Sequence, residues 1–174
     1  MLNIIPLPTD EQLTPDVLKA LRSVPPANIF RMMANAPTSL KPFISLATSI
    51  LVQSEFDARK RELVILRIAH VTHSHYEWIQ HVRIATIVGV TQEEIDRIAV
   101  DGKVQGFDDE IQLLFRVAEE ISLNVRLSDQ ALEEILQRYG QRQATELILC
   151  CSYFNMVSRF LESTRVQVEA EDVL

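Results

Sequence analysis

The sequence predicts an all-α, single-domain fold of about eight helices, and three observations carry that prediction. Only four glycines occur in 174 residues, against many Leu, Ile, Ala, Glu and Arg, a composition suited to helices joined by short turns. No segment sustains the period-two alternation of a half-buried strand, whereas apolar residues recur at helical spacing. At 47% apolar residues, a chain of this length buries a core without cross-links.

The prolines at 6, 8 and 15, then Pro25-Pro26, predict an extended arm over residues 1–10, a first helix led in by Thr14-Pro15, and a break before Asn28. Helices follow at about 28–35 and 38–53. From Asp57 to about His73 the pattern is apolar almost all round, with Lys60 and Arg67 marking a narrow wet side, so this helix is placed at the centre. A helix from near His75 runs to Gly89, and Thr91-x-x-Glu94 is a capping box opening the next. Asp108 or Asp109 starts a helix with Ile111, Leu114, Phe115, Ala118 and Ile121 on one face. Ser128 caps another, a long buried helix spans Gln143 to about Ser163, and the acidic tail 168–174 is expected to fray.

Charge and cysteine usage exclude several classes. The net charge of −7 arises from acids spread along the chain with no basic stripe, which argues against nucleic acid as a partner. The longest apolar runs, near Ile44 to Val52 and Leu147 to Cys151, are far shorter than the roughly 18 to 20 residues that cross a bilayer. The start, MLNIIPLPTD, lacks the charged and apolar regions of a secretory signal, so a cytoplasmic protein without membrane contact is expected. Cys150 and Cys151, the two cysteines, are neighbours and form neither a disulfide framework nor a CxxC pair. Successive helical positions point about 100° apart, so they read as buried structural thiols.

All four histidines, His70, His73, His75 and His81, fall in one window that also holds Ser74, Glu77 and the single tryptophan, Trp78. Helical projection puts Glu77, His81, Ile84, Ala85 and Val88 in one arc with Trp78 at its edge, and Glu62 with Leu66, Ala69 and His73 on the preceding helix. Ionisable groups on two consecutive helices thus point inward. A carboxyl in low dielectric beside an imidazole is a means of building an acid/base pair. The bland alternatives are that Ser74-x-x-Glu77 is a capping box and that His81 is a satisfied core histidine. His70 and His75 read as exposed. Glu77 with His81 and His70 with His73 have spacing for two metal ligands each, but neither HExxH nor a paired ExxH pattern is present, so no metal is expected. Arg159 is a candidate for neutralising an acid, with a solvated arginine the alternative.

RELVILRIAHVTHSHYEWIQHVRIA resembles the core motif of the carboxymuconolactone decarboxylase family, of alkylhydroperoxidase D-like (AhpD-like) fold. The flanks IPLPTDEQL, NIFRMMANAPTSL, GVTQEEIDRIA and FDDEIQLLFRVAEEI extend the resemblance over most of the chain. In the peroxidase branch of that family a glutamate is followed by a CxxC pair and a histidine. Here Glu62 and His81 take the outer positions, Ser74 and Glu77 replace the two cysteines, and Tyr76 replaces the histidine inside the CxxC. Serine and carboxylate form neither sulfenate nor disulfide, which removes the thiol peroxidase mechanism.

The YEWxxH form instead resembles the decarboxylase side, where 4-carboxymuconolactone loses carbon dioxide to give an enol-lactone of 3-oxoadipate without an organic cofactor. The resemblance implies a lyase acting on a small unsaturated lactone or carboxylic acid, with His81 as proton donor or enolate stabiliser. Glu62 and Glu77 would hold its tautomer, Tyr76 would donate a hydrogen bond, and Trp78, His73 and Arg159, or Arg83, would contact substrate. It also implies a homo-oligomer, a trimer or hexamer. The rivals are a peroxidase-type oxidoreductase and a non-catalytic helical oligomer that binds a small acid.

Overall fold

A computed structural model of the chain describes residues 4–170. After an extended arm and a 3-10 turn at Asp10–Gln12 come eight α-helices, α1 (Pro15–Leu21), α2 (Asn28–Met33), α3 (Pro37–Leu51), α4 (Ala58–Val71), α5 (His75–Ile87), α6 (Gln92–Ile98), α7 (Asp109–Asn124) and α8 (Asp129–Thr164). The described residues contain no strand. Residues 1–3 of the arm and 171–174 of the tail lie outside the described residues.

Side-chain caps set the starts of the longer helices. Asp57 accepts from the Lys60 amide at 2.9 Å, Asp108 from that of Ile111 at 2.9 Å, and Ser128 from that of Ala131 at 3.2 Å. Thr91 and Glu94 form the expected capping box of α6. The two helices expected after Ser128 are halves of α8, parted by Gly140 at φ 69° and ψ 176°, backbone that essentially only glycine adopts.

Every residue of α4 from Arg61 to Ala69 is buried, and α5, α6, α7 and α8 pack around it. One expectation is overturned here. Arg67 marks no wet side: it is 2% exposed, and its guanidinium donates to the carbonyls of Ile98 (3.1 Å), Val100 (2.8 Å) and Gly102 (2.6 Å) while pairing with Glu119. A planar five-donor head satisfies several acceptors at once, which lets a charge sit in the core. Lys60 is half-buried and pairs with Glu110 at 2.8 Å.

The turn between α4 and α5 positions the functional side chains. The His73 amide donates to the His70 carbonyl at 3.0 Å and that of Ser74 to Ala69 at 2.9 Å. His73 between them is left-handed, at φ 55°. This is a Schellman closure with histidine in the place glycine usually takes. It reverses the chain with Ser74 as the first residue of the next helix turn, so that α4 and α5 face each other along the Glu62 side. The tail also departs from expectation over its first residues: Glu169 is not frayed but bound to the α2 start and to α5.

Candidate active site

Glu62 on α4 and His81 on α5 meet in the core. Glu62 Oε2 lies 2.7 Å from His81 Nδ1, and the residues are 0% and 7% exposed. A carboxylate at that distance accepts a hydrogen bond from Nδ1–H and leaves Nε2 to face a ligand. The imidazole stands edge-on to Phe154, with ring centroids 4.8 Å apart. Arg61 Nε approaches Glu62 Oε1 only to 3.9 Å, because its guanidinium is engaged by the carbonyls of Leu51 and Phe56. Glu62 Oε1 therefore has no hydrogen-bond partner among the described residues.

Glu77 does not hold His81. It accepts a hydrogen bond from Ser158 of α8 at 2.9 Å, and Thr72 lies 3.0 Å behind that hydroxyl. The capping-box reading also fails: Ser74 is the N-cap residue of α5 but makes no side-chain cap bond, and its buried Oγ is unpartnered among the described residues, as is Glu77 Oε1. The helix start is instead tied from outside, the His75 amide donating to Glu162 at 3.1 Å.

Burial holds the Glu77 carboxyl well above the ordinary value of 4.5; the Ser158 bond pulls it down, and the neighbouring Glu162 and Glu62 carboxylates push it further up. Two groups one helical turn apart are thus set in different surroundings, a carboxyl that burial shifts towards its protonated form at Glu77 and an imidazole oriented by Glu62.

A stability consequence follows from Glu77. Below about pH 4.5 both folded and unfolded chains hold its proton. As pH rises from there the unfolded chain releases it while the folded chain keeps it, so stability falls with pH, at most about 1.4 kcal/mol per unit, until the folded group ionises. Glu77→Gln keeps an acceptor for Ser158 and removes this loss. Urea unfolding between pH 5 and 8 should show the variant gaining on the parent as pH rises; a pH-independent difference contradicts a neutral Glu77.

Both groups line a cavity of about 320 Å³ between α2, α3, α5 and α8, whose other walls include Phe30, Phe43, Tyr153 and Phe154. Tyr76 and Gln80 line it too, one helical position before Glu77 and His81. Tyr76 donates to Glu169 at 2.6 Å; burial and that carboxylate push its pKa up, which keeps it a donor.

The remaining predicted contacts lie elsewhere. His73 is exposed, Trp78 packs edge-on to His70 with centroids 6.1 Å apart, and Arg159 is engaged by Asn155 and the Ser122 carbonyl; none of the three lines the cavity. The reason is the turn: left-handed His73 leaves the helical projection that grouped it with Glu62. His70 and His73 border a separate groove of about 770 Å³ with Arg67 and Asp101. Among the described residues no three His, Cys, Asp or Glu side chains converge to hold a metal. Cys150 and Cys151 are buried outside the cavity lining, and burial raises both thiols, that of Cys151 to about 12.

Sequence reasoning missed Ser158, Gln80 and Glu169. Ser158 follows Cys151 by seven residues on the same buried stripe, a legible signal for an inward hydroxyl. Gln80 follows Tyr76 by one turn.

The all-helical fold that carries this buried Glu–His pair on consecutive helices is AhpD-like. Solved structures support that fold. A peroxidase-related protein with an alkylhydroperoxidase AhpD core from Ralstonia eutropha JMP134 superposes with a TM-score of 0.79 at 14% identity, over 95% of this chain and 92% of the other. A peroxidase-related protein from Silicibacter sp. TM1040 gives 0.79 at 15% identity, over 96% and 92%. Comparison with curated proteins gave no match. Residues 37–120, which carry Glu62, Glu77 and His81, match the model of the carboxymuconolactone decarboxylase family.

Proposed function

We propose that the protein is a cofactor-independent lyase that removes carbon dioxide from a small unsaturated lactone or carboxylic acid. The observation that carries this reading is that His81, held from behind by Glu62, and the buried Glu77 both line one largely apolar cavity without a thiol in its lining. In the reaction the bond between the substrate carbon and its carboxylate breaks, and the electron pair passes into the conjugated carbonyl to give a dienolate. A polar hydrogen aimed at that oxygen lowers the barrier most where water is excluded. The Glu77 carboxyl supplies it. His81, carrying its second proton on Nε2 while Glu62 balances the charge, delivers that proton to carbon; solvent restores it after release.

The peroxidase reading finds less support, since both thiols are buried, outside the cavity, and held protonated. Exposed Ile87, Leu123 and Val125 supply apolar surface for the homo-oligomer that goes with the lyase reading. No described helix is long and apolar enough to cross a membrane.

The test is incubation with 4-carboxymuconolactone while following carbon dioxide. Release by the parent and by a Cys150→Ser/Cys151→Ser variant alike is the expected result. Absence of release by the parent removes this substrate, and thiol-dependent peroxide turnover lost in the variant would restore the redox reading.

A further inference from the structure

At the edge of the cavity three donors converge on one carboxylate of the chain itself. Tyr76 Oη donates to Glu169 Oε1 at 2.6 Å, Gln80 Nε2 to Glu169 Oε2 at 2.5 Å, and the Asn28 amide to Oε1. Tyr76 and Gln80 are 4% exposed each, so these donors are built into the wall and do not wave in solvent. Their orientation is fixed from behind. Tyr76 Oη accepts from the Ile29 amide at 3.2 Å, which turns its hydrogen outward. Gln80 Oε1 accepts from Arg83 at 3.3 Å, which points the amide nitrogen at Glu169.

Glu169 itself is only partly buried, on the short segment after α8. That segment is held at one further point nearby, the Gln167 carbonyl accepting from Asn28 Nδ2 at 3.0 Å. A rigid, buried donor set is therefore filled by a carboxylate on a short, peripheral strap.

The helix register places this cradle beside the acid/base pair. Tyr76 and Gln80 are one turn apart on α5, as are Glu77 and His81, and the two stripes are adjacent residues of the same cavity wall. We propose that Tyr76, Gln80 and the Asn28 amide form the carboxylate-binding subsite of the cavity, that Glu169 occupies it as an internal surrogate, and that the carboxylate of an incoming apolar acid displaces the strap. A ligand so anchored lies with its body among Phe30, Phe43 and Phe154, within reach of His81. This rests on the reading of the cavity as the ligand site and adds how an acid is recognised and how the chain itself covers the donors. Competition by the strap lowers apparent affinity by the fraction of time the cradle is free.

Calorimetric titration of the full chain with benzoate, and with benzyl alcohol as its uncharged counterpart, tests this. Glu169→Ala should bind benzoate at least about tenfold tighter than the parent and leave benzyl alcohol unchanged. Adding Gln80→Leu, with folding checked by circular dichroism, should reverse the gain. In the parent, benzoate should move the amide NMR signals of residues 167–170 to their positions in Glu169→Ala. Equal, weaker or absent benzoate binding by Glu169→Ala overturns the subsite and leaves Glu169 a fixed latch. Because the readout is binding, failure of carbon dioxide release does not bear on it, and its own failure leaves that release to be judged separately.

Discussion

Glu62→Gln is expected to lower the rate of carbon dioxide release by about 100- to 10,000-fold, the span that general acid–base groups contribute. Glutamine is the same size and sits in the same buried place, so packing is preserved; what changes is the group facing His81 Nδ1 at 2.7 Å. A carboxylate there accepts the Nδ1 hydrogen and stabilises an imidazolium. An amide can present N–H instead, which favours the other tautomer, and it carries no charge to balance a second proton. His81→Gln removes the proton carrier itself and should fall in the same range. Because the two act as one unit, the double variant should be no slower than His81→Gln by more than a few fold. Single-turnover measurements separate this from a binding defect. A loss under about tenfold in Glu62→Gln, or full additivity in the double variant, would mean that the pair is structural.

That pair was legible because its signal is local. Glu62 and His81 each fall on a buried helical face, and their spacing survives any reasonable turn between α4 and α5. His73 leaves the Glu62 face because the same projection assumes α-helical backbone through residue 73, whereas the Schellman closure needs a left-handed residue there. For Glu77 the helical projection gives an inward carboxyl and Ser-x-x-Glu also fits a cap, and nothing within α5 reveals that Ser158, 81 residues on, donates to the carboxylate. Glu169 was invisible for the same reason, being one acid in an acidic tail whose partner Tyr76 lies 93 residues away. Helix starts fared better, since caps at Asp57, Asp108 and Ser128 act over three residues. The break in α8 is legible only in outline: the sequence predicts two helices, and the residue that parts them is Gly140.

Arg67→Met should be the most damaging single change to stability, by about 3–5 kcal/mol. Methionine replaces much of the side-chain stem, so the cost lies in the polar head. Its loss takes the side-chain donor from the carbonyls of Val100 and Gly102, leaves that of Ile98 with the Val100 amide alone, and removes the partner of Glu119. Glu119 is about a third exposed and can turn to water, which places the expectation towards the lower end; the cost that remains is the loss of the clamp that ties the end of α6 and the α6–α7 connection to α4. Arg67→Lys keeps the charge but has three donors on one nitrogen in place of a planar fork, and should recover only part of the loss. For a domain of this size the methionine variant should melt roughly 6–20 °C lower. Hydrogen exchange should quicken first in residues 99–108 while the Glu62 and His81 side of α4 stays protected. A loss below about 1 kcal/mol, or exchange spread evenly over the chain, would show that the guanidinium does not hold the connection to the core.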